Sequence, residues 1–288
     1  MNQTRRKFIH TGLAAGAAVT LAPYLSGFGK SSTALPAPLG FQSWTIRETL
    51  TKDFAGTLKQ MAGYGYKSIE MCSPQGYAKY GFGPLEHLKA KEMKQIINDA
   101  GMTCVSCHYI FHEFKTHAQE RIDYAKELGL TQMVVSAFGL PNTATLSDWK
   151  KAAQEMNGMA DLFRKNNIQL VYHNHNWEFE KLEGELIYDV LLRELDPNLI
   201  KMQFQVWVII AGYKAADYFR KYPGRFISAH LSDWSGTGEA QVPVGQGKVD
   251  WKEFFEAAQV GGLKNFFVEM DAPTFEPSAK YLLGLDKG

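Results

Sequence analysis

Cysteine is scarce in this chain. Three residues among 288 cannot build a disulfide framework, and an odd count leaves at least one thiol unpaired or bound to something else. An excess of one charge is also missing. The 31 Lys and Arg against 30 Asp and Glu leave a formal net charge of +1 with His neutral. No basic stripe stands out, which argues against nucleic acid as a partner. Beyond residue 38 there is no low-complexity tract, no linker and no repeat other than a βα rhythm. No Gly-rich phosphate turn follows the first candidate strand, where Arg47-Glu48-Thr49 stands instead. That absence argues against a doubly wound dinucleotide-binding sheet.

Long apolar runs are absent too. The one apolar, small-residue stretch, Gly12 to Ala22, is too short to span about 30 Å of hydrocarbon comfortably. It follows Thr4-Arg5-Arg6-Lys7-Phe8-Ile9 and precedes a polar stretch ending in Ala34-Leu35-Pro36-Ala37. This is the three-part layout of an export signal, and the paired arginines suit a twin-arginine address. Residues 1–37 are therefore expected to be signal and linker, cleaved near Ala34 to Ala37, with the mature protein in the periplasm. No Cys follows the apolar run, so neither a lipid anchor nor stable membrane insertion is expected after removal.

What is present is 45% hydrophobic and 13% aromatic residues, enough for one large core. After Pro38, short apolar runs alternate with stretches of helical period. Strands are expected at Leu39–Ile46, Tyr66–Cys72, Met102–Phe111, Gln132–Phe138, Ile168–His175, Ile200–Ile209, Phe226–Leu231 and Asn265–Met270. Helices are expected at Asp53–Gly63, Pro84–Ala100, Glu113–Leu128, Ser147–Asn166, Glu183–Glu194, Ala215–Tyr222 and Trp251–Val260, with a tail helix from Pro277 to Leu285. Gly65, Gly101 and Gly129 suit helix ends, and Asp53 and Ser147 suit N-caps. Eight βα units in one domain, residues 38–288, predict a single-domain (β/α)₈ TIM barrel of the α/β class.

Catalytic groups of such a barrel lie at the C-terminal strand ends. Those ends here hold Glu70; His108, followed by His112; His173, Asn174 and His175, followed by Trp177 and Glu178; Gln203 and Gln205; His230, with Asp233 beyond; and Glu269, with Asp271 beyond. Four of the eight histidines, His108, His173, His175 and His230, converge on three strand ends. Imidazoles and carboxylates gathered on one barrel mouth suit a divalent metal. Such a metal polarises a carbonyl and stabilises the ene-diolate formed when the adjacent C–H loses its proton, while a nearby side chain acts as base and acid.

Tyr172-His173-Asn174-His175, Met202 to Trp207, His230-Leu231-Ser232-Asp233 and Phe267-Val268-Glu269-Met270 together resemble the xylose-isomerase-like, or sugar phosphate isomerase/epimerase, barrel superfamily. Ser68-Ile69-Glu70 and Lys221 to Phe226 extend the likeness. It runs from about Pro38 to the C-terminus. It implies a metal held by His173, Gln205, His230 and Glu269, with His173 and Gln205 standing where the epimerase branch has Glu and Asp. The exchange removes two negative charges, and the shell then suits zinc, manganese, cobalt, nickel or iron better than magnesium. Glu70, His108, His175 and Glu269 are the candidates for catalytic acid, base or substrate-hydroxyl contact. Trp44, Trp177, Trp207 and Asp233 are expected to contact the substrate, a small carbohydrate.

The resemblance implies sugar isomerisation or epimerisation by proton transfer beside a metal-bound carbonyl. Two alternatives are a lyase or hydratase acting on 3-keto-glycosides and a non-catalytic sugar-binding barrel. A DNA-repair endonuclease shares the fold but fits poorly with export and a near-zero charge. Cys104-Val105-Ser106-Cys107-His108 has the spacing of a c-type haem attachment site, but it lies inside an apolar strand that the barrel requires. Gly236-Thr237-Gly238 and Gly245-Gln246-Gly247 read as parts of a mobile loop after strand seven. Export is checked by expressing the full chain with Arg5 and Arg6 both changed to Lys. The processed form should leave the periplasmic fraction, and mass spectrometry of the native processed form should place its N-terminus between Ala34 and Pro38.

Overall fold

A computed structural model describes residues 35, 37–238 and 240–284. The expected export segment, apart from Leu35 and Ala37, lies outside the described residues. Eight parallel strands close into one barrel: β1 Leu39–Gln42, β2 Ser68–Cys72, β3 Thr103–Tyr109, β4 Gln132–Val135, β5 Gln169–His173, β6 Ile200–Gln205, β7 Phe226–Leu231 and β8 Asn265–Val268. Neighbours in sequence are neighbours in the sheet, and β8 pairs with β1. The expected barrel is thus what the chain forms. Helices α1 Arg47–Lys52, α2 Phe54–Tyr64, α3 Ala90–Asp99, α4 Phe111–Leu128, α5 Leu146–Lys165, α6 Ile187–Glu194, α7 Ala215–Lys221, α8 Trp251–Gly261 and α9 Phe275–Gly284 are interleaved with the strands.

Most strands stop sooner than their apolar patterns do. After β1 and β6 the chain turns into short 3₁₀ helices, Trp44–Ile46 and Val206–Ala211. In both places a glutamine at the strand end captures a backbone N–H two residues on. Gln42 Oε1 accepts from Trp44 N, and Gln205 Oε1 accepts from Trp207 N at 3.2 Å. Ile46, Val206 and Val208 remain buried past the turn, so hydrophobicity continues where sheet pairing ends. The cap of α5 is Thr145, whose Oγ1 accepts from Asp148 N at 3.3 Å, rather than Ser147. The Asp53 cap forms as expected, accepting from Gly56 N at 2.9 Å. Gly65, Gly101 and Gly129 all take positive φ.

The barrel separates two environments. Its apolar core lies between strands and helices, with Phe204, Phe219, Phe226, Phe254 and Phe266 all nearly or fully buried there. The lumen is different. Lateral pairing runs Gln42 to Glu70, Glu70 to Ser106, His108 to Val134, His173 to Gln203, Gln205 to His230, and His230 to Phe267. Residues two apart on a strand share a face, so these side chains and Ser228 fill the lumen in layers. A typical barrel of this kind fills those layers with branched aliphatics.

Phe267 fills the lumen beneath His230, their rings edge to face at 6.4 Å. Gly40, its partner on β1, leaves it room: a Cβ at Gly40 would collide with the Phe267 ring and the Ser68 hydroxyl. Gly40→Ala should therefore destabilise the fold by about 2–3 kcal/mol through overpacking. Urea unfolding should show this as a lowered midpoint at unchanged slope, whereas an unchanged midpoint would mean that the lumen has slack.

Candidate metal centre

Glu70 sits in mid-lumen with no exposure to solvent. A carboxylate there costs several kcal/mol unless it is paired and hydrogen-bonded. It is both. Oε1 accepts from Ser106 Oγ at 2.5 Å and Gln203 Nε2 at 2.8 Å, while Oε2 meets His230 Nε2 at 2.5 Å and His108 Nε2 at 3.2 Å. The other His230 nitrogen, Nδ1, lies 2.9 Å from Glu269 Oε2, so one imidazole bridges two carboxylates. Burial alone would raise Glu70, but His108 and His230 outweigh it and hold the carboxyl well below the usual carboxylate range. Burial likewise disfavours a charge on His230, and the flanking Glu269 and Glu70 more than reverse this, raising it to about 10. Glu269 is lowered, the rise from burial being outweighed by His230 and its neighbours.

His108 points a second hydrogen bond from Nε2 to Gln203 Oε1 at 2.7 Å. Gln203 also donates to Ser228 Oγ at 3.0 Å. Gln205 donates from Nε2 to Glu269 at 2.6 Å, while its Oε1 accepts from Ser232 Oγ and Trp207 N. Asn174 holds this strand end by accepting from Gln205 N at 3.1 Å.

Two imidazole nitrogens of the site are left over, Nδ1 of His173 and Nδ1 of His175. His173 is 2% exposed, and its Nδ1 has no partner. Burial first, and then its three histidine neighbours, push its pKa well below the ordinary value, so it stays neutral with a lone pair to offer. His108, His173 and His230 each present a ligand atom, all within 4.8 Å of one another. A neutral buried imidazole with an idle nitrogen, beside two more imidazoles and a carboxylate, fits the expected metal. His230 must release its proton to join, and the carboxylate on its other nitrogen then orients the ring.

A cavity of about 820 Å³ opens above the group. Of the expected site residues, Trp44, His108, His173, His175, Trp177, Gln205, Trp207 and Glu269 line it. Three of the expected roles differ. Glu70, expected as acid, base or hydroxyl contact, is sealed beneath the histidines and outside the lining, because its bonds hold it in the lumen. Asp233, expected to touch substrate, is fully buried and turned toward its own loop. It accepts from the N–H groups of Trp234, Gly245, Gly247 and Val249 and from Trp251 Nε1, so it straps the loop after β7. Gln205, expected as a ligand, directs its amide nitrogen at Glu269 and its oxygen at Ser232 and Trp207 N, while His108 joins His173 and His230 in the three-histidine group that could hold a metal. Ser106, Ser228 and Gln203, which the sequence did not single out for roles, lie two residues before His108, His230 and Gln205. Counting back two along each strand finds them. The Cys104 and Cys107 thiols are free and buried, consistent with a packed strand.

A closed parallel barrel whose C-terminal strand ends carry a three-histidine group under an open cavity has the layout of a metal-binding barrel enzyme. Residues 58–284 match the model of the family described as xylose isomerase-like TIM barrel, and the chain belongs to that family. Inosose dehydratase of Lacticaseibacillus casei is 23% identical over 268 residues, covering 81% of this chain and 87% of the relative. The crystal structure of a sugar phosphate isomerase/epimerase from Parabacteroides distasonis ATCC 8503 superposes with a TM-score of 0.73 at 22% identity, covering 88% of this chain and 96% of that one. IOLI protein with a bound zinc atom superposes with a TM-score of 0.64 at 14% identity, covering 87% and 95%.

Two substitutions separate ligand from scaffold. His173→Ala removes the Nδ1 that no protein group uses, so it should abolish the rise in Tm expected when zinc is added to the native protein. His230→Ala leaves Glu70 and Glu269 without their shared partner and should cost roughly 3 kcal/mol even without metal. Thermal melts with and without zinc read both effects. Zinc stabilisation that survives His173→Ala would place the metal elsewhere.

Proposed function

We propose that this barrel takes a proton from the carbon beside the carbonyl of a keto-sugar or cyclic polyol ketone and expels the oxygen substituent one carbon further on. This is an elimination of dehydratase or lyase type. The observation that carries it is that Glu269 is the one carboxylate among the described residues lining the cavity. An epimerase working through two opposed carboxylates needs a second at the cavity, and Glu70 is spent beneath the floor. A single base suffices for elimination on one face. The similarity to a protein named inosose dehydratase supports the same reading.

Glu269 is the proposed base. It is held ionised, and Gln205 and His230 fix its direction. As it takes the C–H proton, the electron pair forms the new C=C bond and the C–O bond breaks. The leaving oxygen then receives a proton on the same face, relayed from Glu269, and departs as water or an alcohol. Nothing is oxidised or reduced. His108, His173 and His230 would hold a divalent ion, which supplies positive charge to the carbonyl oxygen when bound. Nitrogen donors suit zinc, cobalt, nickel or iron, with manganese next, and the zinc in the similar IOLI structure makes zinc the first to try. Trp44, Trp177 and Trp207 offer faces to a sugar ring. Export to the periplasm is part of the same proposal.

Isomerisation shares the first step and also needs only one base. Phosphorylated sugars fit poorly, because Lys115 is the only Lys or Arg among the described lining residues and lies 3.6 Å from Glu155. Zinc-loaded protein incubated with inosose and 3-keto-glucosides in deuterated water distinguishes the readings. Elimination with an unsaturated product is expected. Glu269→Gln should lower kcat by about 10³-fold at unchanged zinc content. Deuterium incorporation into an isomer without loss of the substituent would make the protein an isomerase, and binding without exchange would make it a sugar-binding barrel.

A further inference from the structure

Of the five large hydrophobic side chains left exposed among the described residues, two, Tyr80 and Trp177, stand at the cavity mouth. Trp177 is 45% exposed, yet it is not loose. Its indole stacks on the His175 ring with centroids 3.9 Å apart and planes 14° from parallel. The two residues that follow it in its 3₁₀ turn are pinned inside. Glu178 is fully buried, accepting from Tyr172 Oη at 2.8 Å and His175 N at 2.7 Å, and Phe179 is buried against Tyr188. The chain thus fixes an aromatic face in water, where a free side chain would have turned inward.

That face divides two spaces. On one side is the cavity over the histidines. On the other is a second chamber of about 550 Å³, and both are bordered by Ala137, Phe138, Gly139 and Trp177. Leu140, Pro141, Trp149, Leu182 and Ile187 give the second chamber an apolar side, while polar atoms make up nearly half of its surface. Its charged groups, Glu180 and Lys181, are exposed and of opposite sign, so no net field selects an ion. The space over the histidines alone falls in the usual range for an organic ligand of drug size, and the second chamber adds to it. A lone monosaccharide at the histidines would leave this second space and its apolar side chains unfilled.

We infer that the chamber beyond Trp177 is the subsite for the aglycone of a glycoside. It takes a neutral group of aromatic size, joined to a sugar whose carbonyl lies at the histidines. The inference rests on the elimination reading and names the departing group: an alcohol or phenol rather than water. Trp177 contacts both halves, with the sugar on the side of the histidines and the aglycone across its outer edge.

Binding to unoxidised glycosides tests the subsite without requiring turnover. The probes are p-nitrophenyl and methyl glucopyranosides, in both anomers, titrated into zinc-loaded full-length protein by calorimetry. At least one aryl anomer should bind roughly tenfold tighter than its methyl counterpart. Trp177→Ala should bring the two within about twofold. Ala144→Trp, which fills the second chamber from its rim, should do the same while leaving the zinc-dependent Tm intact. Equal affinity of aryl and methyl glycosides in the native protein overturns the subsite, as does an aryl preference that survives both substitutions or no aryl binding at all. Aryl binding with the expected losses, but no elimination from the 3-keto forms, would keep the subsite and overturn the elimination chemistry instead.

Discussion

A carboxylate buried in the middle of the barrel is the constraint from which the rest of the site follows. Glu70 lies where a barrel of this type ordinarily places an aliphatic side chain, and its charge must be met at once from several strands. Ser106 and His108 come from β3, Gln203 from β6 and His230 from β7. Each recruit brings a further requirement. His230 has a second nitrogen, which Glu269 satisfies, and Glu269 is in turn aimed by Gln205. The chain of contacts climbs from the sealed interior to the cavity, so the orientation of the carboxylate at the cavity floor is set by a charge the solvent never reaches.

The fold was largely legible in the sequence, because the alternation of short apolar runs with helical stretches is the physics of a parallel barrel. The strand ends were not. Gln42 and Gln205 stop pairing by capturing a backbone N–H, a local hydrogen bond that apolar periodicity does not register. Similarly, the stretch Glu183–Leu186 forms a small antiparallel turn with Lys181–Leu182, with Gly184 at φ 87°, before α6 begins, although its composition suits a helix.

The site was legible to a shallower depth. His108, His173, His175, Glu269 and the three tryptophans could be placed at the mouth because strand ends define it. Depth is harder, since a residue at the end of a strand is identified by position but not by how far its neighbours overtop it. Glu70 is therefore a foundation rather than a reagent. Asp233 defeats sequence reading for another reason. It follows β7 by two residues, as a substrate contact would, but four donors in its own loop and Trp251 Nε1 at the start of α8 claim both of its oxygens. Membership of the family and the three-histidine group are both consistent with a metal-capable site at the barrel mouth. The paucity of cationic side chains at the cavity gives that site a neutral character.

The alternation along each strand has a consequence for how this protein can change over generations. Apolar residues that hold the fold face outward to the helices, while polar residues that define the chemistry face inward, and one outward–inward pair is a single step in sequence. A mutation to a lumen residue such as Gln203 or Ser228 leaves the Phe204–Phe226 packing on the far side of the same strands untouched. Outer packing and inner chemistry can thereby change separately, provided the buried Glu70 keeps its partners. Lineages sharing this scaffold can diverge in the reaction they perform while drifting little in the shape that carries it.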